Sequence, residues 1–403
     1  MLTVCLAVLG FLSADPGERP PDRIVLADGT RLEGRVVQED GSRIILRIGS
    51  KERVIDRVDV TSATTRLSAW HEALDRWLKL DKDDATKIAD IGLFAERLGL
   101  PEEARVFALR ALAIDAENRA ARELLGHERK EKGWYLREDG RRYFWPERVK
   151  KSTDFGSGWT LETTHWSLRT NLPLLDATNA ILDLENIYAI YFREIAPVVE
   201  ARHLDGPLLA QIHADSGSYP EIAAGRGFYD RAGRVLVVNA EGGLDRGLMV
   251  HEAIHQILAE TAVLARGGRG EIGPWLDEGL GEYFRATTWG PAGRLAFDAG
   301  RIDTIAMRKQ VHSNETYKLS RILTFDSGEY LSTSRQDLKY AQSYTFVHFL
   351  LDGDGGRYRP GFDRFLRSAW KGQGSSTDLE SALDAKVDLI EKAWKSWVKD
   401  RAR

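Results

Sequence analysis

At 403 residues, with 43% hydrophobic content, the chain is long enough for two or three domains with real cores. Its 57 basic and 61 acidic residues leave a formal charge of -4, which removes any general electrostatic case for nucleic acid or an anionic membrane surface as a partner. The single cysteine, Cys5, excludes a disulfide framework and a cysteine-ligated zinc.

Leu2 to Leu12 is an apolar run that ends in Leu12-Ser13-Ala14 before Asp15. It reads as the core of a signal peptide over residues 1–14 with a small residue at the cleavage site, although no Lys or Arg precedes it. It is too short to span a bilayer as a helix. The expected product is an exported protein, periplasmic, cell-envelope or extracellular, without thiols and with no stable membrane insertion after signal removal. Pro16, Pro20 and Pro21 mark a linker. Over residues 23–62 apolar and polar positions alternate around Asp28-Gly29 and Asp40-Gly41, which predicts short strands in a small, strongly bent sheet or a β-barrel-like (SH3-like) module.

From Leu67 to Lys132 the period becomes helical, with Trp70, Leu74, Trp77 and Leu78 on one face. The stretch from Gly99-Leu100-Pro101 to Leu124-Leu125-Gly126 resembles a tetratricopeptide unit. One unit is not an array, since such repeats need about three copies to bury their faces. Helical hairpins docked on neighbours are therefore expected, with peptide or protein binding through these N-terminal modules as the lesser option. Gly133-Trp134-Tyr135-Leu136 and Arg141 to Trp145, joined through Asp139-Gly140, read as a β-hairpin closing a 66–146 segment.

A third region is expected over 159–403. Trp159 to Asn171 reads as one strand, Leu174 to Ile195 as a long amphipathic helix, and Leu208 to His213, Gly227 to Asp230 and Arg234 to Asn239 as further strands. Next, from Leu244 to Val263, comes an apolar-periodic run holding Val250-His251-Glu252-Ala253-Ile254-His255-Gln256. In a helix, His251 and His255 lie one above the other on one face, the geometry that a single metal ion needs from two imidazoles. Glu252 lies to the side of the pair, able to reach an attacking water without competing as a ligand. Val250, Ile254 and Ile257 supply a separate apolar stripe. An ordinary surface helix can carry these three residues by chance, so the chain that follows decides. It continues with Pro274-Trp275-Leu276-Asp277-Glu278-Gly279-Leu280-Gly281-Glu282-Tyr283-Phe284, a second helix with Pro at its first position. Gly279 and Gly281 each cost about 1 kcal/mol in a helix relative to alanine, and close approach to the first helix is the expected reason. Glu278 can then complete a His, His, Glu set. Three protein ligands with a fourth position left for water is the pattern of a catalytic zinc, whereas structural zinc prefers four closed ligands.

The pair HEAIHQ and WLDEGLGEYF resembles the gluzincin peptidases, and within them a peptidase-MA-like group of largely unknown function. The resemblance implies that His251, His255 and Glu278 bind one zinc ion and that Glu252 is the general base. The metzincin pattern is excluded, because its Gly and His positions hold Leu258 and Thr261. In gluzincin-like folds a sheet-edge strand before the histidine helix holds extended peptide by backbone pairing, which directs attention to Gly225 to Tyr229 and Val235 to Val238. Gluzincins often assign oxyanion stabilisation to a downstream tyrosine. Here Tyr340 is expected to open a helix after a polar loop in a layout similar to the aminopeptidase branch, with Ser343 in place of that branch's glycine and Tyr344 as the rival donor. No amine-binding motif of that branch is evident, since the region reads Gly225-Arg226-Gly227-Phe228-Tyr229. Glu282 is a candidate support for a histidine, and His348, Trp394 and Trp397 read as packing residues.

The expectation is an α+β multidomain fold ending in a gluzincin-like zinc metallopeptidase that cleaves a peptide or protein substrate. The competing expectation is a non-catalytic cell-envelope binding or scaffold protein with a degenerate peptidase domain. A scaffold has no need for His251, Glu252, His255 and Glu278 together.

Overall fold

The computed structural model describes residues 21–402 apart from 40, 139, 221–224, 266–271, 287, 290–292, 313–315 and 333. The expected signal segment 1–14 lies outside the described residues. The fold is mixed α+β, with antiparallel and mixed sheets and many helices. Packing divides it into two compact units, 1–185 with 203–244, and 186–202 with 245–403. The boundaries expected near 62–66 and 146–159 both fall inside the first unit. Among the described residues no helix is long and apolar enough to cross a membrane.

The first unit begins with β1 (Asp22–Leu26), β2 (Arg31–Glu39), β3 (Arg43–Ile48), β4 (Lys51–Asp56) and β5 (Val60–Thr64). All neighbours are antiparallel, in the order β4-β3-β2-β1-β5. Alternation along the strands turns Ile24, Leu26, Val36, Ile44, Leu46 and Ile55 onto one buried face. The two edge strands, β4 and β5, do not pair, so no closed barrel forms among the described residues, and the barrel-like expectation reduces to a bent open sheet. β1 switches register against β5 at Val25/Leu26 and β2 against β3 between Val36 and Gln38, and such bulges bend a sheet without closing it.

Four helices follow: α1 (Arg66–Leu78), α2 (Ala85–Arg97), α3 (Pro101–Ile114) and α4 (Arg119–Leu124). Thr65 caps α1, its side chain accepting from Ser68 N–H, and Asp84 caps α2. Gly99, at φ +74°, ends α2 with Gly99 N–H donating to Glu96 and Leu100 N–H to Ala95, after which Pro101 opens α3 at once. This tight corner makes α2 and α3 a helical hairpin. Next come β6 (Glu128–Lys130), β7 (Gly133–Glu138) and β8 (Arg141–Phe144) in one antiparallel sheet, then α5 (Trp145–Lys151).

The expected strand over 159–171 is a hairpin, β9 (Trp159–Glu162) and β10 (Trp166–Thr170). The turn is stabilised by Thr163, whose N–H and hydroxyl both donate to the Trp166 carbonyl. With β11 (Leu208–His213), β12 (Gly227–Asp230) and β13 (Val235–Asn239) it forms a mixed sheet in the order β12-β13-β11-β10-β9. β10, β11 and β13 run parallel, while β9 and β12 are antiparallel edges. β12 is thus an edge, and β13 lies one strand in.

α6 (Leu174–Glu194) leaves the first unit and enters the second at Asn186. The second unit adds α7 (Ala196–Val199), α8 (Arg246–Ala265), α9 (Pro274–Arg285), a short β14 (Thr288–Trp289) and β15 (Leu295–Ala296) pair, α10 (Thr304–His312), α11 (Leu319–Ile322), α12 (Ser327–Leu331), α13 (Gln336–Asp352), α14 (Arg359–Trp370), α15 (Ser376–Leu383) and α16 (Val387–Arg401). α8 is a core helix, with Met249, Val250, Ala253, Ile254, Ile257 and Leu258 fully buried. Full burial of a large aliphatic side chain is worth about 1.5–3 kcal/mol, so this helix is held from several sides and its histidines are not free to drift. Tyr191 of α6 adds a buried hydroxyl pair with Thr261 at 2.9 Å.

Candidate metal centre

Helical spacing brings His251 and His255 of α8 together as expected, with Nε2 atoms 2.9 Å apart. From α9, Glu278 presents Oε2 at 3.3 Å from Nε2 of His251 and 3.3 Å from Nε2 of His255. These side chains are buried or nearly so, and their ligand atoms all lie within 4.8 Å of one another. A tetrahedral ion with donor bonds of about 2.0–2.1 Å sets its donors about 3.3 Å apart. The spacings found fit that geometry. Glu278 Oε2 is moreover a buried oxygen with no hydrogen-bond partner in good geometry among the described residues. Buried carboxylate oxygens are normally satisfied, and an ion placed among the three donor atoms would satisfy this one.

The opposite edges of the imidazoles are held by two further carboxylates of α9. Asp277 Oδ1 lies 2.8 Å from Nδ1 of His255. Glu282 Oε1 lies 3.1 Å from Nδ1 of His251, off the line of a good hydrogen bond. Each contact favours a hydrogen on Nδ1, which leaves the Nε2 lone pair facing inward. Glu282 therefore takes the supporting position considered for it. Asp277 was not anticipated. Its signal is its place one residue before Glu278, where a helical offset of about 100° turns it from the shared metal position toward the flank of the second histidine.

The electrostatics are those of a cation site. Burial, the largest influence, pulls the His251 pKa down, yet Glu278 and Glu282 hold it up to about 9. Burial likewise opposes protonation of His255, and Asp277 and then Glu278 outweigh it, holding it well above the usual histidine range. Burial works to raise Glu278, but the two histidines hold it far below the ordinary carboxylate range. Asp277, Glu278 and Glu282 thus surround the two imidazoles with negative charge, a setting that favours a bound cation.

The two glycines of α9 have different neighbours. A Cβ on Gly281 would stand 3.0 Å from Cε1 and Nδ1 of His251, so this glycine does serve close approach to α8. A Cβ on Gly279 would meet Val347 Cγ2 at 2.6 Å and the Ser343 carbonyl oxygen at 2.8 Å, both on α13. The expectation that both glycines face the first helix is corrected: α9 is clasped between α8 and α13, with one glycine on each side.

α13 carries Tyr340. The helix begins at Gln336, after Arg335 in a left-handed conformation (φ 52°, ψ 33°), so Tyr340 is in its second turn and not at its start. The Tyr340 ring stands edge-on to His251, centroids 6.3 Å apart. Burial raises its phenol pKa, and the charges on Glu278, Glu252 and Glu282 raise it further. Glu252, itself buried, thus acts electrostatically on Tyr340 as well as on His251. The rival Tyr344 is engaged elsewhere: its oxygen accepts from Asp303 N–H at 2.8 Å and pairs with His348 Nδ1 at 3.1 Å. His348, Trp394 and Trp397 are buried packing residues, as expected.

Residues 247–362 are similar to a family described as "Protein of unknown function (DUF1570)". That stretch runs from the first turn of α8 into α14 and holds every residue of the centre. No curated protein matches the chain.

Asp277→Ala is expected to weaken metal binding by about 10–100-fold, the usual effect of losing a carboxylate behind a ligating histidine. Glu282→Ala should cost less, because its contact is off-line. Competition titration against a chromophoric chelator measures both, and unaltered affinity in Asp277→Ala would remove that residue from the centre.

Proposed function

We propose that the chain is a zinc-dependent peptidase of the gluzincin type, with His251, His255 and Glu278 as ligands of one zinc ion. The observation that carries this reading is the meeting of two Nε2 atoms with Glu278 Oε2, 3.3 Å from each and in a good hydrogen bond to neither, beside a buried glutamate that is not part of the ligand set. Bound there, zinc would supply Lewis acidity, polarising a peptide carbonyl and bringing the pKa of water toward neutrality. Glu252 takes a proton from the attacking water at a carboxylate oxygen and passes it to the departing amine nitrogen. Asp277 and Glu282 keep the imidazoles in the tautomer and orientation that ligation needs. Tyr340 donates its hydroxyl hydrogen to the carbonyl oxygen as that oxygen gains negative charge. The apolar run at 2–12 supports export of this enzyme, and its substrate is a peptide or protein.

The test is metal analysis of the purified chain followed by a peptide-library cleavage assay on the zinc-loaded protein. About one zinc per chain and cleavage of some library members are the expected results. Stoichiometric zinc with no cleavage anywhere in a broad library would favour the scaffold reading instead.

Tyr340→Phe is expected to lower turnover by about 10²–10³-fold, the size of one lost oxyanion donor. Metal content and melting temperature should change little, because the half-buried ring is retained. Tyr344→Phe should do less, since its hydroxyl is committed to Asp303 and His348. Steady-state kinetics on the best library peptide compares the two, and full activity in Tyr340→Phe would take that phenol out of the mechanism.

A further inference from the structure

We propose that Gln336 is a positioning residue that aims the Tyr340 hydroxyl hydrogen at the metal centre, an inference that rests on the peptidase reading above. The left-handed Arg335 starts α13 one turn ahead of Tyr340 and so places Gln336 four residues before it, on the same helix face. From there Gln336 Nε2 donates to the Tyr340 oxygen at 3.3 Å. A phenol has one hydrogen to give and accepts through its oxygen. With the amide on the accepting side, the hydroxyl hydrogen is turned away from Gln336.

The surroundings limit where it can turn. The ring of Tyr330 packs edge-on against Tyr340, centroids 5.8 Å apart. Tyr330 gives its own hydrogen to Ser343 Oγ at 2.8 Å and is buried there. α12, which carries Tyr330, is fixed in turn by the buried Lys339, whose Nζ donates to the carbonyl oxygens of Glu329, Tyr330 and Ser332. His251 also stands edge-on to Tyr340, with the Glu278 and Glu252 charges that the phenol senses. Tyr340 is thus bordered by a fixed aromatic ring and by the metal centre, and with its oxygen accepting from Gln336 its hydrogen is left to the centre. A helix-surface pair at this spacing is worth only about 0.2–0.5 kcal/mol to stability, and Gln336 is only partly buried. Stability therefore gives little reason for the contact, while donor orientation gives a direct one.

The experiment uses the zinc-loaded full chain and methylphosphonate, a tetrahedral anion, as the probe, with affinity measured by calorimetry alongside kcat and KM on the best library peptide. Gln336→Leu is expected to weaken methylphosphonate binding about tenfold, the effect of one misdirected hydrogen bond, and to lower kcat with little change in KM. Gln336→Glu should lose more, since a carboxylate accepts the phenol hydrogen and pulls it away from the centre. Tyr340→Phe should lose at least as much as Gln336→Leu, and adding Gln336→Leu to it should cost nothing further, because Gln336 acts only through that hydroxyl. Additive losses in the double variant, or wild-type affinity in Gln336→Leu, would overturn the proposal. So would zinc-loaded wild type that does not bind methylphosphonate, or Tyr340→Phe that binds it normally; either would leave the metal site standing. A chain that takes up no zinc would overturn the peptidase reading and this inference together.

Discussion

Glu252→Gln is expected to hold its metal as the wild type does and to hydrolyse peptides about 10²–10⁴-fold more slowly, the range that a positioned acid–base group supplies. Glu252 follows His251 directly on α8, so a rotation of about 100° carries it off the ligand face while keeping it beside that face. It is buried, and its charge reaches both His251 and Tyr340. A glutamine occupies almost the same volume and leaves all three ligands in place, but its amide cannot accept a proton from water. Lost turnover with retained metal therefore isolates proton transfer from ligation. Metal content by mass spectrometry and kcat/KM on the best library peptide are the two readouts. A variant that cleaves at a rate comparable to wild type would show that Glu252 is not the base.

The centre was legible because its spacing is short-range. Two histidines at i and i+4, and a Pro-opened helix carrying Glu278, fix direction locally, and tertiary packing only has to bring two helices together. What the chain did not disclose depends on packing between elements or on unusual backbone. Gly279 looks like Gly281 in sequence, yet it faces Ser343 and Val347 on a helix far along the chain. α13 starts before Tyr340 because Arg335 adopts a left-handed cap that non-glycine residues seldom take, and a polar stretch ahead of Tyr340 gives no hint of it. That hidden turn is what delivers Gln336. The 159–171 segment alternates at both ends but changes parity between Leu161 and Trp166, where hydrogen bonds of Thr163, Thr164 and His165 hold the turn. β5, Val60-Thr61-Ser62-Ala63-Thr64, carries too little apolar contrast to announce a strand and is defined by its pairing with β1.

His255→Ala is expected to abolish stoichiometric metal and, with it, hydrolysis. The substitution removes one of three donor atoms and also breaks the contact of His255 with Asp277 at 2.8 Å. It removes one imidazole that offsets the buried charges of Asp277 and Glu278, and losing one partner of a buried ion pair costs up to about 3–5 kcal/mol. The penalty should therefore appear in the second unit as a lower melting temperature even in metal-free protein, while the first unit, which holds none of these residues, keeps its structure. His348→Ala supplies the control. His348 lies on α13 against Tyr344, pairs with that hydroxyl at 3.1 Å and belongs to no ligand group among the described residues. That variant is expected to lose packing stability but to retain metal. Mass spectrometry of both variants after dialysis against zinc, with circular dichroism to follow the helices, separates a ligand from a buried histidine that only packs. Unchanged metal content in His255→Ala would dismiss the His251, His255, Glu278 assignment, and equal metal loss in both variants would trace the effect to packing of the second unit.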